Sequence, residues 1–330
     1  MKIRPHPLLL EPVYKDYIWG GTRISRLFGR TPRHRRCAES WEVADRSDGM
    51  SIVRNGPLAG TTLRELVRTG ADELIGADSG CTAFPLLIKI IDASQRLSVQ
   101  VHPHDRTGGS RGAEPKTEAW YVLDGHPAAK VFAGLKPGTD AAAFCQALDR
   151  GRVEDLLCPL PARPGDAILV PGGLVHAVGE GCLLLEVQQN SNTTYRVYDW
   201  GRVGENGKPR ELHIEQAMEV IRWDAVATPG SQPARFERVG RNIWEDLLSC
   251  AHFRMQRVEL REQQEVPGIS RSFQICFTLA GKVQLAANGI TVETDPGTSC
   301  LLPAALSSYT AAPLTAEAAL IRVTLGTEAF

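Results

Sequence analysis

The sequence predicts a mainly β protein made of two barrel units of one kind, with a few helices. Three observations carry this. Gly and Pro, 31 and 21 of 330 residues, are spread along the chain, as many short strands joined by turns require. Apolar runs of strand length recur. A pattern also repeats: "RPGDAILVPGGLVHAVG" (Arg163–Gly179) and "DPGTSCLLPAALSSYTA" (Asp295–Ala311) both read Pro-Gly, five residues, Pro. The turn before them repeats as "YVLDG" (Tyr121–Gly125) and "FTLAG" (Phe277–Gly281).

Taken in order, "TTLRELVRTG" has a capping-box pattern, Thr62 to Glu65, and predicts a helix ending on Gly70. "FPLLIKIIDA" (Phe84–Ala93), "LSVQVH" (Leu97–His102), "AWYVLDG" (Ala119–Gly125) and "AKVFAG" (Ala129–Gly134) predict buried or half-buried strands. "TDAAAFCQALDRGRVEDLL" (Thr139–Leu157), rich in helix formers, is a helical insert in the first unit. "DAILVP" (Asp166–Pro171) and "CLLLEVQQ" (Cys182–Gln189) return to strand. "ELHIEQAMEVIRW" (Glu211–Trp223) spaces its apolar residues at helical period. The second unit has Ser308 where the first has His176, so a metal bound in the first has no counterpart in the second. The domain boundary is expected at 245/246: a catalytic unit over 1–245, and a degenerate one over 246–330 without metal ligands.

Lys+Arg number 37 against 38 Asp+Glu, a formal net charge of -1, with no block of like charges. Nothing here points to nucleic acid or an anionic membrane surface. "MKIRPHPLLLEPVYK" holds three consecutive leucines, too few for a signal core or a membrane span. The eight cysteines include no CxxC, which reads as reduced thiols of a cytoplasmic protein and excludes a zinc finger.

The chemistry starts at "LSVQVHPHD" (Leu97–Asp105), where Gln100, His102 and His104 sit two apart. Metal sites need several N or O donors converging, commonly His with a carboxylate. Downstream, Gly165, Pro171, Gly173 and His176 have the spacing of the second motif of the cupin family, a double-stranded β-helix jelly-roll barrel; Glu180 departs from that family's asparagine. Alone, His176 reads equally well as a barrel histidine bonded to the main chain. Simple cupins follow His-x-His closely with Glu, whereas fifteen residues separate His102 from Glu118 here.

"LSVQVHPHD", "KTEAWYVLDG", "VPGGLVHAVGEG" and "EVQQNSNTTYRVYDWGR", in this order, resemble type I phosphomannose isomerase in its short bacterial form. "YIWGG", "ESWEVAD", "FPLLIKIIDA" and "RELHIEQAMEVI" fit the same family. The match runs from about Leu10 to Trp223 and continues more loosely through the second barrel.

The resemblance implies one zinc ion per chain, held by Gln100, His102, Glu118 and His176. His104 falls where the family places other residues, and Pro103 breaks the pleat before it, so it reads as a rim residue. Gln100 is the weakest donor of the set; its other role is a hydrogen bond to sugar or water. Arg196 matches the family's active-site arginine, against the plainer reading of a structural salt bridge. Lys116, two residues before Glu118, would face the same side, where it could hold a sugar oxygen or move a proton; otherwise it is a solvated lysine. Trp19 and Trp41 read as core aromatics first and sugar-stacking groups second. His6, His34, His126, His213 and His252 have no spaced partners.

The implied reaction interconverts mannose 6-phosphate and fructose 6-phosphate through an enediolate. One carboxylate among neutral ligands leaves the centre with the positive charge that this oxyanion needs. The base is open among Lys116, Glu186, Asp199 and a metal-activated water. Arg196, Lys116 and Arg202 are candidates for the phosphate. The oligomer expected is a monomer or homodimer. Rival readings are an iron-dependent bicupin oxygenase, a non-catalytic sugar-binding cupin, and an isomerase of a related sugar.

Overall fold

The computed structural model describes residues 5–30, 36–77, 79–108, 112–204, 207–225 and 235–326; His34 lies outside them. Two compact units interleave along the chain. One comprises Met1–Val13, Trp41–Ile88 and Ser231–Phe330; the other comprises Tyr14–Ser40 and Lys89–Gly230.

The second of these carries the motifs. One of its sheets has the strand order Leu157–Pro161, Lys130–Leu135, His176–Val178, Val99–Val101, Tyr195–Tyr198. Another runs Ala167–Val170, Glu118–Gly125, Cys182–Gln189, and continues to Leu86–Ala93 and Glu39–Val43. Val131, Ala133 and Val178 from the first sheet share one apolar cluster with Trp120, Val122, Ile168 and Leu184 from the other. The two sheets therefore face each other across a core, as in a jelly roll. The insert is a helix at Ala141–Asp149, capped by the Asp140 carboxylate accepting from Ala143 N–H, and a 3-10 turn at Val153–Leu156. Between them Gly151 adopts φ 64°, which ends the longer helix that the composition suggests.

The other unit has the same jelly-roll plan. Its larger sheet runs Leu8–Leu9, Ser299–Leu302, Gln274–Ala280, Ala318–Leu325, Phe253–Leu260, Asn242–Ser249, Arg235–Val239. The smaller runs Gln264–Pro267, Ser308–Pro313, Val283–Ala287, Ile290–Thr294. Thr62 caps the helical stretch Leu63–Leu74 with the reciprocal Glu65 bond; Gly70, at φ -169° and ψ 57°, is non-helical and ends the first segment as the sequence predicts, and a second short segment follows across the kink.

The sequence repeat is a repeat of strand pairing. Ala167–Val170 pairs with the strand of "YVLDG", and Ser299–Leu302 pairs with that of "FTLAG". By this register Glu118 corresponds to Gln274, and His176 and Ser308 each open the strand that follows the second proline. Gln274 is buried and its side-chain oxygen accepts from Tyr309 (3.0 Å) and Arg322 (2.7 Å). No described helix is long and apolar enough to cross a membrane.

Candidate metal centre

Strand pairing delivers the donors. His176 lies directly opposite Gln100, and Gln100 directly opposite Arg196, so one cross-strand row carries all three on one face. His102 follows two residues after Gln100 and faces the same way. Glu118 comes from the facing sheet, where it pairs with Val170 and Gln188.

The intervening loops are stitched to this frame by the main chain. Gly173 N–H donates to His102 C=O (2.8 Å), and Lys116 N–H donates to Pro103 C=O (2.9 Å). Gly173 sits at φ 86°, and a Cβ at Gly172 would come within 2.5 Å of the Pro103 carbonyl oxygen. The Pro171–Gly173 turn therefore needs glycine both for conformation and for clearance.

His102, Glu118 and His176 converge: one donor atom from each lies within 4.8 Å of the others, and all three residues are buried. The proton positions follow from the partners. His102 Nδ1 lies 2.9 Å from Thr193 C=O, and His176 Nδ1 lies 2.8 Å from Leu174 C=O. Carbonyls only accept, so both Nδ1 atoms carry hydrogen and both Nε2 atoms present bare lone pairs. Each Nε2 is 3.4 Å from a Glu118 oxygen. Lone pairs thus face a carboxylate with no proton between them, and neither Glu118 oxygen has a hydrogen bond of good geometry among the described residues. This donor set suits a divalent cation.

Lys116 brings a cation to the same carboxylate. Its Nζ is 2.7 Å from Glu118 Oε2, an ion pair without hydrogen-bond alignment, and 3.3 Å from His102 Nε2. Burial, then Lys116, pushes the His102 imidazole down to about 3. Burial lowers His176 as well. Burial works to raise Glu118, but Lys116 foremost, and then His102, hold it well below the usual carboxylate range. Gln100 puts its amide nitrogen 3.2 Å from His176 Nε2, while its oxygen accepts from the Ser98 hydroxyl at 3.3 Å. A half turn of that amide exchanges the two and aims oxygen at the cluster.

A cavity of about 270 Å³ opens beside the cluster, lined by Gln100, Lys116, Glu186, Trp19 and Arg196, and also by Lys89, Glu39 and Arg210. Glu186 accepts from the Trp120 indole N–H (3.0 Å) and pairs with Lys89 (3.2 Å), which also faces Glu39 (3.7 Å). Burial first, then the charge of Glu118, raises the Glu186 pKa; burial opposes but Glu39 and Glu186 raise that of Lys89.

Asp199 and Arg202 do not line this cavity. Asp199 is clamped by Arg202 and Arg210, and Arg202 also donates to Arg96 C=O. His104 lines a different cavity, with Arg106 and Arg222. Trp19 is buried in the core cluster with its ring 5.5 Å from Tyr17, and Trp41 packs in the core of the other unit.

Sequence reasoning missed Lys89, Glu39 and Arg210. Lys89 had a signal: a lysine inside "LLIKIIDA", an otherwise apolar strand, must find buried counter-charges. Arg210, in "KPREL", had none.

The chain is similar to known proteins along most of its length. A family model described as "Phosphomannose isomerase type I, catalytic domain" matches residues 8–133, and one described as "Mannose-6-phosphate isomerase, cupin domain" matches residues 245–325. A mannose-6-phosphate isomerase of Bacillus subtilis is 36% identical over 305 residues, covering 92% of this chain and 95% of the relative. One from Streptococcus mutans is 39% identical over 226 residues, covering 68% of this chain and 71% of the relative. The crystal structure of a mannose 6-phosphate isomerase from Bacillus subtilis aligns with a TM-score of 0.87 at 31% identity, covering 96% of this chain and 99% of that one.

Proposed function

The chain belongs to the type I phosphomannose isomerase family, and from that premise we propose that it interconverts mannose 6-phosphate and fructose 6-phosphate at the His102–Glu118–His176 centre, with one zinc ion. The observation that carries this reading is the pair of unprotonated imidazole Nε2 atoms converging with one carboxylate beside a polar cavity. Gln100, His102, Glu118 and His176 would hold the zinc. When bound, it would act as a Lewis acid that makes the sugar's C2 proton removable. One charged ligand among three neutral ones suits the negative charge that develops.

The chain's own residues supply the rest. Turning the aldose into the ketose moves one proton from C2 to C1, with an enediolate between. Glu186 is our candidate for carrying it: it lines the cavity, and its raised pKa suits a group that both accepts and returns a proton. Lys89 would hold its carboxylate in place. Lys116, beside Glu118 and lining the cavity, would hold a sugar oxygen. Arg196 would stabilise negative charge, since a guanidinium is too basic to serve as a base. Trp19 would form the apolar wall, and Asp199 and Arg202 would act through Arg210.

The proposed donors and cavity residues all lie before position 245, so we keep 1–245 as the catalytic division and 246–330 as the degenerate one, a division by chemistry rather than by compactness. A single chain would hold a whole site, which suits a monomer or homodimer. A sugar phosphate carries too much charge to cross a bilayer unaided, which suits a cytoplasmic setting. The test is a coupled assay on mannose 6-phosphate with and without a chelator. Turnover lost on chelation and restored by zinc is expected; no turnover with zinc restored sinks the reading.

A further inference from the structure

We propose that Arg210 is the residue that selects the phosphorylated sugar: with Arg196 it grips the 6-phosphate, and Asp199 positions it. The identity of the substrate rests on the isomerase reading above; the anion site itself does not.

The argument is one of charge left over. Four cations line the cavity: Lys89, Lys116, Arg196 and Arg210. Neither lysine is left over for a phosphate: each lies beside a carboxylate, and Lys116 is the one proposed to reach a sugar oxygen. Lys116 is paired with Glu118, and Lys89 with Glu186 and Glu39. Arg196 is bonded only to neutral acceptors among its described hydrogen bonds, the Ser98 hydroxyl at 3.3 Å through Nε and Glu211 C=O at 2.9 Å through Nη1. Arg210 shares its carboxylate: Asp199 takes Arg210 Nε (2.9 Å) and Nη2 (2.5 Å), and Arg202 Nη2 at 2.5 Å as well. The guanidiniums of Arg196 and Arg210, and of Arg202 behind them, have one buried carboxylate among them, Asp199, with Glu211 near Arg196 exposed, so positive charge is left in excess, as a phosphate monoester dianion requires.

Geometry agrees with charge. The two bonds from Asp199, whose side chain is 6% exposed, fix the Arg210 fork, and Nη1 takes no part in them. The bonds that hold Arg196 likewise use Nε and Nη1 and not Nη2. Planar, always-charged forks held by side-chain bonds are preorganised for a tetrahedral oxyanion, where a lysine would offer a mobile point charge. Burial, then the nearby Arg210, keeps Arg196 below the ordinary guanidinium value, and an anion received by both would relieve that repulsion. Arg196 also stands beside Gln100 in the strand register, so the grip adjoins the metal centre. A sugar held by its phosphate there would extend toward the metal.

The test uses the zinc-loaded full chain. Arg210→Gln should raise KM for mannose 6-phosphate about tenfold or more while kcat falls less than threefold, as expected for losing one charge-assisted contact that is made before and during reaction. Calorimetric binding of inorganic phosphate should weaken by a similar factor. Arg210→Lys should recover part of the affinity. Asp199→Asn separates aim from charge: it makes the wall more positive, so a purely electrostatic role predicts tighter phosphate binding, whereas positioning predicts weaker binding. Unchanged KM and phosphate binding in a folded Arg210→Gln protein, or tighter phosphate binding by Asp199→Asn, overturns the proposal. Phosphate binding that depends on Arg210 in a chain with no turnover of mannose 6-phosphate upholds the anion site and refutes the isomerase reading; turnover with no dependence on Arg210 does the reverse.

Discussion

The ammonium of Lys116 lies 2.7 Å from Glu118 Oε2, closer than either imidazole Nε2, each 3.4 Å from the same carboxylate. A metal must therefore compete with a resident cation for its one charged ligand. Lys116→Met should raise zinc affinity by about tenfold, on the order of 1–2 kcal/mol at the effective dielectric of such sites. It should also lower the melting temperature of the metal-free chain, because a buried carboxylate loses its partner. Chelator competition and calorimetry check both; a weaker metal affinity contradicts the competition.

His176→Ala should abolish stoichiometric zinc, with turnover falling in step. Ser308→Ala, at the matching place in the repeat, should leave zinc content and kinetics unchanged, since Ser308 bonds to Glu265 at 2.6 Å. Metal analysis of both proteins decides: equal losses would mean that the centre has been assigned to the wrong barrel.

Arg196→Ala should retain its zinc and lose roughly a hundredfold in kcat/KM, the scale of removing one preorganised charge stabiliser. Full activity would return Arg196 to a purely structural role, bonded to Ser98 and Glu211.

Glu186→Gln should lower kcat by about 10² to 10⁴, the usual range for a general base. In the wild type the rate should rise with pH through an apparent pKa above the usual carboxylate range, because Glu186 must be ionised to accept a proton and burial raises its pKa. The variant should lack that acid limb. A limb that survives the substitution assigns it to another group.

The metal-free chain should lose stability as pH falls from about 6.5 toward 3. His102 drops from its ordinary 6.5 to about 3 on folding, so over that window the unfolded chain binds the extra proton and acid favours unfolding. His176 is shifted in the same direction. Melting curves against pH should show a shallower slope in His102→Gln, and an equal slope refutes the assignment.

The repeat was legible because both units need the same turn: Gly165 and Gly297 sit at φ 95° and 84°, and each precedes a strand that pairs with the preceding turn motif. The two histidines and Glu118 were legible because donor chemistry is written in residue type. The helix ends were harder. Gly70 reads as a stop and does break the helical backbone, but a second segment with the buried Leu74 resumes beyond it, which a stop signal does not foretell. The phosphate grip was illegible for a different reason. Arg196, Arg202 and Arg210 look alike in sequence, and only the fold separates them, bringing Arg196 and Arg210 to the cavity and turning Arg202 to Arg96 C=O.

The two imidazoles are oriented by peptide carbonyls, those of Thr193 and Leu174, rather than by side chains. Point mutation can exchange a side-chain partner but cannot delete a carbonyl. The tautomers of these two imidazoles are thus inherited with the path of the main chain, not with any side chain that point mutation could remove.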